Sequence, residues 1–354
     1  IIYLSNREAP QERGIWTVPS AGGESRKLVH MKGKCGNISL SPNGKQLAFT
    51  YSNPKEMRGL WIAPELNSTP IQIYKTSSDK IKFEDVPKVQ AVKFCGPDGI
   101  EIPSILLTRK NLRKDQKHPA IIYAYGGGLV QDAVNTLGVF DLNRYLASKG
   151  YVVLIIDPRG SLGYGDEYAT SIHLDCGGKQ IEDVVKGAEY LASLGFVDPE
   201  KIGLWGASYG GFLTTQALID YPDSFAAGLV WNGVFDWEYS YDYNTSGMAE
   251  WVFVVSRWGY PEEQTKLYHK KSPINHVDRI KAPLLIHQGE KDINCPLSET
   301  IRFVDVLIKN GKRFDFMIYP GEPHSYLKKE TWLDVYNRVE SYYNKHLLNT
   351  EPKE

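Results

Sequence analysis

No apolar run in this sequence is long enough to span a membrane. The longest unbroken one, Tyr151 to Ile156, falls far below the roughly 20 residues that a transmembrane helix needs. Excess charge of either sign is also missing. With 41 Lys+Arg against 42 Asp+Glu, the 354-residue chain carries a formal net charge of -1, which excludes a polybasic footprint for nucleic acid or a membrane surface. Cysteine is scarce: Cys35, Cys95, Cys176 and Cys295 show neither the close pairs of a zinc ribbon nor the density of a disulfide scaffold, so they indicate no compartment. The eight histidines lack zinc-protease spacing and the carboxylates form no calcium loop, so neither a metal nor a cofactor is expected. The glycine run Gly126-Gly127-Gly128 is not followed by a lysine and a hydroxyl residue at phosphate-loop spacing. What remains, 42% hydrophobic and 23% charged residues, is globular composition with ample material for a core.

A starting methionine is absent too, since the chain opens inside the apolar stretch Ile1-Ile2-Tyr3-Leu4. The expectation is a preceding segment that is not part of this sequence, which leaves cytoplasmic, periplasmic and secreted locations equally open. Three Asn-x-Ser/Thr sequons, at Asn37, Asn67 and Asn244, are close to the chance count and carry little information about secretion.

What is there begins with a repeat. At an offset of about 45 residues, Gly14 matches Gly59, Trp16 matches Trp61, Pro19 matches Pro64 and Leu28 matches Ile73, a period in the range of propeller blades. The later unit reads as four short strands: Asn37 to Leu40, Lys45 to Tyr51 after the turn Ser41-Pro42-Asn43-Gly44, Gly59 to Ala63, and Ile71 to Lys75. The earlier copy lacks its first strand. Two blades cannot close a ring of 4 to 8, so residues 1–80 are expected to be the end of a β-propeller and the chain the C-terminal part of a longer protein.

From residue 81 the texture changes to strands alternating with amphipathic helices, the pattern of a mostly parallel, doubly wound α/β sheet. Val89 to Phe94 and Ile102 to Thr108 predict an antiparallel opening hairpin. Ala120 to Tyr125, Tyr151 to Ile156, Lys201 to Trp205, Ala226 to Trp231, Pro283 to Gln288 and Phe314 to Tyr319 predict buried strands. One helix carries Ile181, Val184, Val185, Ala188 and Leu191 on a single stripe, and the last carries Trp332, Val335, Tyr336, Val339 and Tyr343. Reactive residues in such sheets belong in the loops beyond the carboxyl ends of the strands.

One such loop is Gly206-Ala207-Ser208-Tyr209-Gly210-Gly211, between the strand Lys201 to Trp205 and a helix Phe212 to Asp220. As a bare pattern the motif is weak, but a serine on a strand-to-helix turn is pushed out at the top of the sheet, where it can act as a nucleophile. It then needs a base, and an acid to orient that base. In this fold they follow in the order Ser, Asp, His, and Asp292 and His324 lie after the strands Pro283 to Gln288 and Phe314 to Tyr319. The rivals fit less well. Asp236 follows the preceding strand and is the alternative acid; His287 sits inside a strand and reads as a satisfied core histidine; His269, His276 and His173 are misplaced along the chain. For the oxyanion, one donor is the backbone N–H of Tyr209; the other comes from Tyr125-Gly126-Gly127-Gly128, by phenol or backbone.

The segments Lys201 to Gly211, Tyr319-Pro320-Gly321-Glu322-Pro323-His324 and Asp157-Pro158-Arg159-Gly160-Ser161-Leu162-Gly163-Tyr164-Gly165 together resemble the prolyl oligopeptidase family of serine peptidases. The resemblance covers nearly the whole chain and implies an α/β-hydrolase fold capped by a β-propeller. It implies Ser208 as nucleophile, His324 as base and then acid, Asp292 as its partner, and the Tyr125 phenol as an oxyanion donor. By similarity to the dipeptidyl peptidase IV branch, Val234, Trp237, Tyr239 and Asn294 would bind substrate. Trp237 and Tyr239 also suit ordinary packing under a loop. The Gly-Ser-Leu-Gly-Tyr-Gly stretch and Glu322 instead resemble acylaminoacyl and bacterial dipeptidyl peptidases, and Cys295 stands where a valine is common in the family. The activity implied is hydrolysis of short peptides, with no nucleic acid or membrane partner and with a homodimer left open. A carboxylesterase with the same triad and a catalytically silent propeller binding protein are the alternatives.

Overall fold

The computed structural model describes residues 1–76, 86–124, 131, 142–244 and 254–348. Turn residues cut the first part into short antiparallel strands. β1 (Ile2–Ser5), β2 (Gly14–Thr17) and β3 (Arg26–Val29) make a three-stranded sheet, and β4 (Lys34–Leu40), β5 (Leu47–Asn53), β6 (Glu56–Ala63) and β7 (Ile71–Tyr74) make a four-stranded one. The repeat reappears in the hydrogen bonding. β2 and β3 pair Trp16 with Lys27 and Thr17 with Arg26, while β6 and β7 pair Trp61 with Gln72 and Ile62 with Ile71, the same register 45 residues on. The two sheets share a core of Ile15, Leu28, Val29, Leu47, Phe49 and Ala63. The boundary expected at residue 80 lies outside the described residues.

β8 (Lys88–Cys95) and β9 (Glu101–Thr108) then form the opening hairpin, and β9 pairs antiparallel with β11 (Val152–Ile156). β10 (His118–Ala124), β11, β12 (Val197–Ala207), β13 (Ala227–Trp231), β14 (Leu284–Gly289) and β15 (Phe314–Tyr319) are parallel, giving the order β15-β14-β13-β12-β10-β11-β9-β8. The order reverses about β10, which has β11 on one side and β12 on the other, so its carboxyl end is the topological switch point of the sheet. The expected strand Lys201 to Trp205 is longer than its apolar run. It starts at Val197 because His118 of β10 pairs with Val197 ahead of a register shift, which draws Asp198-Pro199-Glu200 into the edge of the ladder.

Alternation explains why the central strands read as unbroken apolar runs. Val152, Leu154 and Ile156 enter one core with Ile181, Val184, Leu191 and Phe212, whereas Val153 and Ile155 enter the other with Leu142, Leu146, Val335, Val339 and Tyr343. The first face is covered by α3 (Lys179–Ser193) and α4 (Tyr209–Asp220), the second by α1 (Leu142–Ser148) and α8 (Lys329–Leu347). Between them in sequence lie α2 (Asp166–Thr170), α5 (Trp237–Asn244), α6 (Pro261–Lys271) and α7 (Leu297–Lys309). Of the two expected stripes, Val185, Trp332 and Tyr336 stay at the core margin, partly exposed. Each fully buried aliphatic side chain contributes about 1.5–3 kcal/mol. Among the described residues, no helix is long and apolar enough to cross a membrane.

The stretch Asp157 to Gly165 is held by charge. The Arg159 guanidinium donates to Asp183 of α3 at 2.7 and 2.9 Å and to Asp98 of the β8–β9 turn at 2.8 and 2.9 Å, and Gln180 donates to the Arg159 carbonyl at 2.8 Å. Burial pushes the Asp183 carboxyl up and Arg159 opposes that shift, so the two buried charges depend on each other. Two further contacts reach this side from the N-terminal sheets: Asn6 donates to the Gly163 carbonyl and Gln131 to that of Pro10, each at 2.6 Å. Arg159→Met is expected to cost about 3–5 kcal/mol in urea unfolding, because it strands the Asp183 carboxylate; adding Asp183→Asn should recover much of the loss. A single-variant loss below ~1 kcal/mol would mean that the network holds nothing in place.

Candidate active site

Ser208 sits where β12 gives way to α4, with φ 58° and ψ -124°, a left-handed backbone that a serine adopts only when its surroundings enforce it. Three backbone bonds do so. The Ser208 N–H donates to the Trp231 carbonyl at 2.9 Å, and the Ser208 carbonyl accepts from Gly211 at 2.9 Å and Phe212 at 3.2 Å. α4 therefore begins at Tyr209, three residues before the expected start, with both glycines inside its first turn. The tight crossing explains them. A Cβ on Gly206 would lie 2.2 Å from the Gly210 carbonyl oxygen, and one on Gly211 would lie 2.7 Å from Gly233 Cα.

Asp292 and His324 come from the loops after β14 and β15 and meet directly. His324 Nδ1 lies 2.7 Å from Asp292 Oδ2, so the ring proton on Nδ1 is donated to a carboxylate that is itself fully buried. The other carboxylate oxygen accepts the Asn294 N–H at 2.8 Å and the Cys295 N–H at 3.0 Å, which satisfies the buried charge from within its own loop. Glu322 braces the histidine loop, accepting from Leu327 at 2.7 Å, Lys328 at 3.1 Å and Thr331 at 2.6 Å. Burial works to raise its carboxyl, and these hydrogen bonds together outweigh it and hold the carboxyl below its ordinary value.

One organising residue escaped the sequence reading. Asn232, directly after β13, is 1% exposed at φ 47°; its amide donates to the His324 carbonyl at 2.7 Å and its side-chain oxygen accepts the Gly289 N–H at 2.8 Å. It thus joins the acid loop and the histidine loop beside Trp231, whose carbonyl holds Ser208. The available signal was a polar residue closing a five-residue apolar strand, of a type that tolerates left-handed backbone.

The remaining candidates separate clearly. Val234 and Trp237 are buried, with the Trp237 ring 5.1 Å from Phe212 and 5.8 Å from Tyr209, so the segment lies over the first turn of α4. Tyr239 is half-buried and its hydroxyl meets Ser298 at 2.7 Å. Asn294 is half-buried beside Asp292. The Tyr209 side chain is turned into the core, its hydroxyl donating to Gln180 at 2.7 Å, and burial raises its phenol well above the usual range. Tyr125 and Gly126 to Gly128 lie outside the described residues. Asp236 caps the turn to Tyr239 and pairs with Arg302 at 3.0 Å, whereas the acid bonded to His324 is Asp292. His287 corrects an expectation: it is buried in β14, but neither ring nitrogen has a hydrogen-bond partner among the described residues. Aromatic edges surround it instead, Tyr319 at 5.4 Å and Trp231 at 6.3 Å, and burial pulls its imidazole down to about 3. Asp292, Cys295 and His324 offer ligand atoms within 4.8 Å of one another, but the acid and the imidazole are already bonded to each other.

Comparison with known proteins shows what the chain as a whole is similar to. A family model described as the prolyl oligopeptidase family matches residues 139–350. The chain is 30% identical over 364 residues to human dipeptidyl peptidase 8, covering 99% of this chain and 38% of that protein. To an uncharacterized peptidase of Bacillus subtilis, YuxL, it is 24% identical over 318 residues, 88% of this chain and 47% of the other. Its fold matches the crystal structure of Porphyromonas gingivalis dipeptidyl peptidase 4 with a TM-score of 0.85 at 24% identity, over 98% of this chain and 48% of that one. The chain spans less than half the length of each of these proteins.

Asn232→Gly, which keeps the backbone conformation and removes both side-chain bonds, is expected to lower stability by about 1–3 kcal/mol in urea unfolding; a change below ~0.5 kcal/mol would show that the loops hold themselves. His287 supplies a pH test. Its neutral folded form binds fewer protons than the unfolded chain, so stability rises with pH between about 3 and 6.5. His287→Phe should flatten that rise in unfolding midpoints measured across the window, and an unchanged slope would assign it to other groups.

Proposed function

The chain belongs to the prolyl oligopeptidase family, and from that premise we propose that it carries the catalytic unit of a serine peptidase acting on short peptides. Ser208 is the nucleophile, His324 the general base and then acid, and Asp292 the residue that orients the imidazole. The observation that carries this reading is the 2.7 Å bond from His324 Nδ1 to Asp292, which fixes the tautomer and leaves Nε2 as the nitrogen that accepts a proton. As Ser208 Oγ attacks the scissile carbonyl carbon, Nε2 takes the hydroxyl proton and the carbonyl oxygen becomes an oxyanion. Collapse of that intermediate breaks the C–N bond, the imidazolium gives its proton to the leaving amine, and water then hydrolyses the acyl-serine ester by the same exchange.

The Tyr209 N–H and the Tyr125 phenol stabilise the oxyanion, each worth about 2.7–4 kcal/mol by the usual cost of removing such a donor. Val234 and Tyr239 border the pocket for the residue before the scissile bond, Trp237 backs it, and Asn294 binds substrate beside the acid loop. Residues 1–80 are the end of a β-propeller that caps residues 81–354 and limits entry to small substrates. The shared register of the two N-terminal sheets and their contacts at Gly163 and Pro10 support that arrangement. Relatives named dipeptidyl peptidase and acylamino-acid-releasing enzyme favour an exopeptidase.

Incubation of the protein with a fluorophosphonate, followed by peptide mapping, should place the label on Ser208, and Ser208→Ala should abolish it together with peptide turnover. Comparison of free and acetylated dipeptidyl substrates then assigns the branch. No label on Ser208 in the complete protein would overturn the triad.

A further inference from the structure

α7 begins two residues after Cys295, whose N–H rests on Asp292, so the start of this helix is tied to the acid loop. Its first two turns grip a second segment. Glu299 Oε1 accepts the N–H groups of Phe235 at 2.7 Å and Asp236 at 2.8 Å, and Oε2 accepts the Ser240 hydroxyl at 3.0 Å. Arg302 pairs with Asp236 at 3.0 Å and lies 4.5 Å over the Tyr239 ring, while Phe303 stacks on Phe235 with centroids 4.1 Å apart. The four side chains, from Ser298 to Phe303, all bear on residues 235–240.

Glu299 is the centre of that grip. It has no exposed surface, and the two backbone donors it satisfies open the turn into α5, where the helix supplies no acceptor of its own. An acid in the first turn of a helix ordinarily serves its own N-terminus. Here it serves another helix, which is why its place in the sequence gives no hint of the role. Burial pushes its carboxyl up to about 7; the three hydrogen bonds oppose the rise and the Asp236 charge adds to it. Protonation on Oε2 still leaves Oε1 for both N–H groups, so the grip depends on shape more than on charge.

We propose that Glu299 is the positioning residue of the substrate pocket, setting Val234 to Tyr239 relative to Ser208 and coupling that wall to the acid loop through α7. The proposal rests on the assignment of Ser208, Asp292, His324 and the pocket segment made under Proposed function. Loss of the Oε1 acceptor lets the wall shift, and a misplacement of about 1 Å lowers productive binding by roughly 10- to 100-fold.

The test compares Glu299→Gln, Glu299→Asp and Glu299→Ala in the complete protein, using two readouts: KM and kcat for peptides that differ in the residue before the scissile bond, and the rate of labelling by a small fluorophosphonate. The glutamine variant keeps an acceptor for both N–H groups and should stay within about threefold of the parent in KM. The aspartate and alanine variants should raise KM about tenfold or more and blur the ranking of substrates, with much smaller changes in labelling rate; the aspartate variant serves if alanine fails to fold. Unchanged KM and ranking, or labelling that falls in step with peptide turnover, overturns the proposal. Absence of label on the parent protein would overturn the triad assignment and this proposal with it, an outcome distinct from a labelled enzyme whose pocket ignores Glu299.

Discussion

The Asn232 side chain is the constraint on which the rest of the site depends. One amide, held in a left-handed backbone at the end of β13, bonds the histidine loop through the His324 carbonyl and the acid loop through the Gly289 N–H. Its neighbour Trp231 bonds Ser208. The acid and histidine loops, 57 and 92 residues further along the chain, are thereby referred with the Ser208 turn to a single point of the sheet. Loops positioned only by their own turns would leave Ser208, Asp292 and His324 free to move separately, and their alignment would be lost.

Three buried carboxylates extend the same logic outward, one satisfied by a charge and two by neutral donors. Asp183 is matched by the Arg159 guanidinium, Glu322 by two backbone N–H groups and a hydroxyl, and Glu299 by an equal set of donors. The balances differ. Hydrogen bonding wins over burial at Glu322, whereas burial wins at Glu299 despite a similar number of donors. A carboxylate held below its ordinary value braces the histidine loop. Glu299 keeps both backbone bonds in either protonation state, because the same oxygen carries them.

Much of this was legible in the sequence, and for physical reasons. A buried parallel strand has both faces apolar, so Tyr151 to Ile156 announced itself; a period of 45 residues reappeared as a repeated hydrogen-bond register. Ser208, Asp292 and His324 stood out because each follows a strand at a fixed place in the topology. Asn232 and Glu299 did not, since their partners are backbone atoms far away in sequence, and a bond to a main-chain amide leaves no mark on the partner's residue type. His287 was misjudged in a related way: a histidine inside a strand is expected to find a hydrogen-bond partner, but aromatic rings surround this one on the described sides. The cost of its orphaned nitrogens is limited because burial keeps the ring neutral.

Ser208 and Asn232 both lie at positive φ although neither is glycine, and a single hydrogen bond connects the two strained turns through Trp231. Strain of this kind costs on the order of 1–3 kcal/mol at each residue and persists only where neighbouring structure over-determines it. Here each turn supplies part of the other's support. The Trp231 carbonyl that holds Ser208 belongs to the peptide whose next residue is Asn232, and relaxing Asn232 would rotate that carbonyl away from the serine N–H. The strain is therefore shared: neither turn can relax alone without giving up the bond that positions the other. In the mechanism proposed above, a serine whose backbone is held in this way has little main-chain freedom left to lose when a substrate arrives, which lowers the entropic part of the bimolecular barrier in advance.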